Sequence, residues 1–163
     1  MADNEITRIT TPVRLTYQIT AGAQQTQFLH ALTERRIVGV RFDGQNQVYV
    51  PARGMCPTNG EAPSALVDVA QTGTLTTYCV INIPFEGQRL QPPYVCGAIL
   101  LDGADLPLFH IIAGVSPADV RMGMRVRAVW VDDAELGPTL ESIRYFEPTG
   151  EPDAAYETYA EHL

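Results

Sequence analysis

Gly73-Thr-Leu-Thr-Thr-Tyr-Cys-Val-Ile-Asn-Ile-Pro84 is followed by Pro92-Pro-Tyr-Val-Cys-Gly-Ala-Ile-Leu-Leu-Asp-Gly103, then by Pro107-Leu-Phe-His-Ile-Ile-Ala-Gly114. A fourth run is Val115-Ser-Pro-Ala-Asp-Val-Arg-Met-Gly-Met-Arg-Val-Arg-Ala-Val-Trp130. Each run is short, rich in β-branched residues and closed by Gly or Pro, the signature of strands and turns. Short strands, with one brief helical turn ahead of the last long one, predict a five-stranded, partly open barrel of the OB type. Barrels of this kind usually carry a binding surface, but the barrel alone does not say for what.

Working outward, the 163 residues suffice for one domain with a real core, or for a small lobe joined to a barrel. No apolar run approaches the roughly 20 residues that span a bilayer. The opening Met1-Ala-Asp-Asn-Glu-Ile-Thr-Arg8 is acidic and polar, unlike a signal peptide, so a cytoplasmic location is the expectation. Three cysteines, Cys56, Cys79 and Cys96, imply no disulfide framework. Cys79 and Cys96 fall within apolar strand runs, where a free thiol behaves as a small hydrophobe.

Charge is unevenly placed. From Asp132 onward the acids Asp132, Asp133, Glu135, Glu141, Glu147, Glu151, Asp153, Glu157 and Glu161 face Arg144 alone, while the preceding chain is close to neutral. Every base is an arginine, a side chain suited to planar, bidentate contacts with carboxylate or phosphate.

Four stretches follow. Residues 1–36 hold a Thr-rich segment, in which Val13, Leu15, Tyr17 and Ile19 alternate, and an amphipathic helix from Ala23 to Arg36 with Phe28, Leu29 and Leu32 on one face. Arg35 and Arg36 complement the dipole at its C-terminus. Residues 37–65 are a lobe of tight turns and short strands, 66–147 the barrel, and 148–163 an acidic tail. The tail reads as a linker ending in a loose helix that carries Tyr156 and Tyr159.

Within the lobe, Pro51-Ala-Arg53-Gly-Met-Cys56-Pro57 resembles the second half of a rubredoxin-like zinc ribbon. A ribbon needs two Cys-x-x-Cys knuckles, because tetrahedral zinc takes four soft ligands. Here the knuckle positions are Phe42, Gln45, Cys56 and Asn59, a degenerate set in which one thiol remains and no metal is expected.

Together, the helix, the Pro-x-Arg-x-x-Cys-Pro ribbon, Gly73-Thr-Leu-x-x-Tyr78, Pro92-Pro-Tyr-Val95 and Val115-x-Pro-x-Asp-Val-Arg-x-Gly-Met-x-Val126 resemble the zinc-ribbon and OB-fold family called domain of unknown function 35. The resemblance runs from about residue 22 to 147 and departs from the family pattern at three of the four metal positions. It implies a mainly β protein: an N-terminal helix, a degenerate ribbon without zinc, then a five-stranded OB-fold barrel. It further implies a non-catalytic partner of thiolase-like proteins (sterol-carrier-type thiolases and steroid side-chain aldolases) in acyl-CoA metabolism. Catalysis is then expected on the larger subunit, with CoA or acyl-CoA as a shared ligand and no cofactor of the chain's own.

The residues offer no catalytic set of their own. His30, His110 and His162 stand apart from any nucleophile, and no Gly-x-Ser-x-Gly, phosphate loop or His-Glu-x-x-His occurs. Arg35, Arg36, Arg41 and Arg53, with Tyr49 for stacking, are the candidates for CoA phosphates or for the partner interface; the plainer alternative is local pairing with acids. Phe85, Leu90, Pro92, Pro93 and Tyr94 give a long barrel hairpin an apolar character that a solvated loop does not need, and it is the candidate partner contact. A stand-alone acyl-CoA carrier is the alternative function. Binding of single-stranded nucleic acid is remote, since that requires a basic groove and this chain is acidic.

Overall fold

The computed structural model describes residues 8, 10 and 15–163. Val13, one of the alternating residues near the start, lies outside them. Helix α1 (Ala23–Thr33) buries Phe28, Ala31 and Leu32, whose i, i+3, i+4 spacing makes one apolar stripe. It ends three residues short of the expected Arg36. The amides of Glu34 and Arg36 bond the Ala31 carbonyl, and Arg35 turns to φ 54, so the chain leaves the helix there.

Strand β1 (Ile37–Phe42) is the centre of a three-stranded antiparallel sheet, flanked by β2 (Gln47–Tyr49) and β3 (Ala65–Val69). All of strand β3 but Ala65 falls inside the 66–147 span expected for the barrel, yet it pairs with β1, from Ile37 opposite Val69 to Arg41 opposite Ala65. Helix α1 packs against this sheet, and β1 is buried on both faces, with Ile37, Val38, Val40 and Phe42 enclosed, as is Val50 just past β2.

Five strands close the barrel: β4 (Thr72–Ile81), β5 (Tyr94–Leu101), β6 (Leu108–Ile112), β7 (Arg125–Trp130) and β8 (Ile143–Pro148), in the order β4-β5-β6-β8-β7. All pairings are antiparallel except β6 with β8. This is the five-stranded barrel expected, closed rather than partly open. Inward residues such as Leu75, Ile99, Leu101, Val126 and Phe146 fill it. The long strand β4 serves two neighbours by bending at a bulge between Leu75 and Thr77, where Thr76 is fully buried and its hydroxyl donates to the Ala98 carbonyl. Gly97 permits the close crossing there, since a Cβ would lie 2.5 Å from Leu75 Cδ1 and 2.6 Å from the Thr77 oxygen.

Two expectations change. The brief helical turn expected before β7 is a pair of hydrogen-bonded turns, burying Val120 and Met124. The tail is neither a free linker nor an α-helix. Tyr159 is buried, the Ala154 amide donates to the Gly123 carbonyl at 2.8 Å, and Asp153 accepts two bonds from Arg121. Gly123 sits at φ +86, and a Cβ on it would crowd the Ala154 oxygen at 3.1 Å. Its last residues make short 3-10 turns.

Lobe and barrel are bonded to each other. The Val48 amide donates to the Asp105 carboxylate at 2.7 Å and the Asp105 amide to the Val48 carbonyl at 2.8 Å. Gln71 bridges the Arg35 carbonyl and the Trp130 indole N–H.

Candidate functional site

The connection from β4 to β5, residues 82–93, projects from one end of the barrel. At its tip the Gln88 amide bonds the Phe85 carbonyl, and the Gln88 side chain accepts from the Phe85 amide and donates to the Tyr94 hydroxyl. Arg89 pairs with Glu141 beyond β7. The hairpin is thus braced by its own polar groups, and its apolar side chains face water: Ile83 is 79% exposed, Phe85 65% and Leu90 42%. Sequence reasoning named Phe85 and Leu90 and passed over Ile83. Pro93 is exposed, and Pro92 and Tyr94 are half-buried at the base.

Behind the hairpin lies a predominantly apolar groove of about 470 Å³, lined among others by Leu90, Pro93, Tyr94, Ile111, Val115 and Tyr145. The hairpin candidates therefore converge on one surface. That surface continues onto the outer face of β4-β5-β6, where the register lines up Thr77, Ala98 and Phe109 in one row and Cys79, Cys96 and Ile111 in the next. Neither row holds a charge, and Phe109 is 62% exposed. An outward alternation without any charged residue was the readable sign of this face.

The arginine candidates do not converge. Arg36 grips Asp68 with Nε and Nη2 and reaches Glu34 with Nη1, bonds that raise its pKa further above the ordinary value. Arg35 donates to the Val131 carbonyl at 3.1 Å and pairs with Asp133 at 2.6 Å. Arg53 lies at the opposite end of α1, beside Gly22 and Gln25, and an 11-residue helix is about 16 Å long. It is exposed, its guanidinium carbon 6.0 Å from the Tyr49 ring centre, over a cavity of about 390 Å³. Among the described residues, neither Arg53 nor Arg41 makes an ion pair or side-chain hydrogen bond. Tyr49 itself is buried edge-on against Phe42, with its hydroxyl on Gln47.

The four ribbon positions sit in two facing turns. Gln45 donates to the Thr58 hydroxyl, which also lies 3.2 Å from Cys56 Sγ and lowers the pKa of that thiol. The Gly44 amide bonds Glu61, and Asn59 exchanges hydrogen bonds with the same residue. Phe42 is fully buried. Hydrogen bonds among amides, a hydroxyl and the Glu61 carboxylate brace the turns, and the side chains at the four ribbon positions do not fit a zinc site. Among the described residues no group of three or more His, Cys, Asp or Glu could hold a metal ion.

His110 points into the barrel against Phe146, with Nε2 3.4 Å from the Leu140 carbonyl and Nδ1 unpartnered. Burial lowers its pKa, and among the described residues it makes no hydrogen bond to a nucleophilic side chain. Among the described residues, no helix is long and apolar enough to cross a membrane.

The geometry is that of a closed barrel carrying a braced apolar hairpin beside an apolar groove. Residues 66–131 match the family model of the ChsH2 C-terminal OB-fold domain. The chain is 31% identical over 96 residues, 58% of its length and 67% of the relative's, to a DUF35 domain-containing scaffold protein of Methanocaldococcus jannaschii. It belongs to the DUF35 family. Its fold is shared with the solved Ltp2-ChsH2(DUF35) aldolase, at a TM-score of 0.61 and 22% identity over 80% of this chain and 98% of that one. It is likewise similar to a DUF35-family protein of unknown function from Sulfolobus solfataricus, at a TM-score of 0.57 and 18% identity over 78% and 84% of the two chains.

Proposed function

We propose that this chain is a non-catalytic accessory subunit that docks on a thiolase-like or aldolase partner acting on acyl-CoA in lipid or steroid metabolism. The observation that carries the reading is the hairpin: Ile83, Phe85 and Leu90 are exposed on a loop rigidified by its own hydrogen bonds, beside an apolar groove. Pre-ordered apolar anchors next to a groove are what a protein partner buries. The archaeal relative's description as a scaffold and the neighbour's as an aldolase assembly support it. Catalysis then belongs to the partner.

A CoA contact is a separate element of the proposal and rests on Arg53 and Arg41, the two lobe arginines that face no carboxylate among the described residues. Arg35 and Arg36 are engaged in holding the fold. The same exposed Arg53 over its cavity favours, as a second reading, a stand-alone acyl-CoA carrier. Binding of nucleic acid finds little support, because Arg121, Arg125, Arg127 and Arg144 each face a carboxylate.

The test is co-expression with a thiolase-like protein of the same organism, followed by size-exclusion chromatography with light scattering. A stable hetero-oligomer supports the subunit. A monomer that ignores that protein and binds CoA with Arg53-dependent affinity makes it a carrier.

A further inference from the structure

We propose that Cys79 and Cys96 form a reversible dithiol–disulfide site on the outer face of the barrel, with a low-molecular-weight aliphatic disulfide as its co-reactant. The two residues stand directly opposite each other in the β4–β5 register, and their Sγ atoms are 3.3 Å apart. Opposed residues of an antiparallel pair have Cα atoms about 4.5 or 5.5 Å apart, and disulfides span about 4.4–6.8 Å. Closing the bond therefore needs side-chain rotation and no displacement of either strand.

Their surroundings divide the roles. Cys79 is exposed, whereas Cys96 is 8% exposed beneath its neighbours. Burial, together with the contact from Cys79, pushes the Cys96 thiol up to about 11. A soluble disulfide thus meets Cys79 first, and Cys96 acts only through proximity, as the resolving thiol. Cys56, buried in the turns of the lobe, is a third thiol outside this pair and serves as an internal control.

The reaction balances in two exchanges. The Cys79 thiol loses its proton, and its sulfur bonds one sulfur of the small disulfide, releasing the other half as a thiol. Cys96 then loses its proton, and its sulfur attacks the Cys79 sulfur, releasing the second half as a thiol. The protein is oxidised by two electrons and the small disulfide is reduced to two thiols. No metal and no partner subunit is required. The new bond lies two residues from the end of β4, at the foot of the 82–93 hairpin.

The experiment treats the folded full chain with oxidised glutathione, quenches with acid and an alkylating agent, and maps the peptides by mass. Wild type should lose two of three thiols, gain an internal 79–96 link and retain no glutathione, all reversed by dithiothreitol. C96S should stop with one glutathione on Cys79. C79S should keep both remaining thiols, with loss at least about tenfold slower than in wild type. The proposal is overturned if wild type stays fully reduced or holds glutathione as C96S does. It is equally overturned if C79S reacts like wild type, or if the link engages Cys56 or a second copy. The wild-type arm decides the matter even if a variant folds poorly.

Discussion

Replacing Phe85 with Ala should separate binding from stability. Phe85 is 65% exposed, so only about a third of its side chain leaves water on folding. Full burial of such a side chain contributes about 1.5–3 kcal/mol, so truncation should cost about 0.5–1 kcal/mol. In a domain of this size that is a drop in Tm of about 1–4 °C. The backbone turn is held by Gln88 and Tyr94, neither of which touches the Phe85 ring through a hydrogen bond, so the hairpin should keep its shape. An aromatic anchor in an interface core costs about 2 kcal/mol or more when truncated, which is about 30-fold in Kd. The assay is isothermal titration of the thiolase-like partner with wild-type and F85A protein, beside thermal melts of each. Unchanged affinity would refute the hairpin as the docking element. A large fall in Tm would instead show that Phe85 belongs to the fold, contrary to its exposure.

Three further outcomes follow from the geometry. G97A places a methyl 2.6 Å from the Thr77 carbonyl, a backbone atom that cannot swing aside, and should destabilise by about 1–3 kcal/mol in urea titration; a neutral result would mean the β4–β5 crossing is looser than described. Y159A removes the buried residue that docks the tail and should cost about 3 kcal/mol, or about 6–12 °C in Tm; an unchanged Tm would mean the tail contributes nothing. His110 is held neutral by burial, its pKa below the ordinary value of 6.5. The unfolded chain therefore takes up the proton first, and stability should fall as pH drops below about 6.5 towards the lowered folded value. The variant H110L should flatten the difference between urea midpoints at about pH 7.5 and 5.5, and an undiminished slope would assign it to other groups.

The barrel was legible because its strands are bounded by Gly and Pro within a few residues, and such punctuation acts locally. Helix α1 was legible from Phe28, Leu29 and Leu32. What escaped depends on distant pairing. Strand β3 joins β1 across an intervening hairpin and two turns, and its five residues carry no mark of which sheet they enter. Cys79 and Cys96 face each other only because the hairpin length and the bulge at Thr76 set that register. The lobe arginines are close in sequence and read as one cluster. The helix separates them, since Arg35 and Arg36 lie past its end and Arg53 lies beside its start.

The acidic C-terminus shows how charge read along the chain differs from charge in space. Along the sequence its acids face Arg144 alone, and the preceding chain is close to neutral. In the fold the barrel arginines answer those acids: Arg121 with Asp153, Arg125 with Glu151, Arg127 with Glu147, and Arg144 with Glu135, while Arg125 also grips Asp102 after β5. Asp102 is held below the ordinary carboxylate range, first by Arg125 and then by the Thr72 hydroxyl. Exposed pairs of this kind contribute little stability each. Their consequence is functional, because they neutralise the guanidinium groups that a polyanion would need. With those charges satisfied, the apolar side chains of the hairpin and the uncharged outer face beside it stand among the exposed groups that the fold does not use, as do Leu15, Tyr17 and Ile19 ahead of α1. Apolar surface presented on a braced loop has no use within the isolated chain, and its burial against a protein partner is the economical account of why Ile83, Phe85 and Leu90 stand in water.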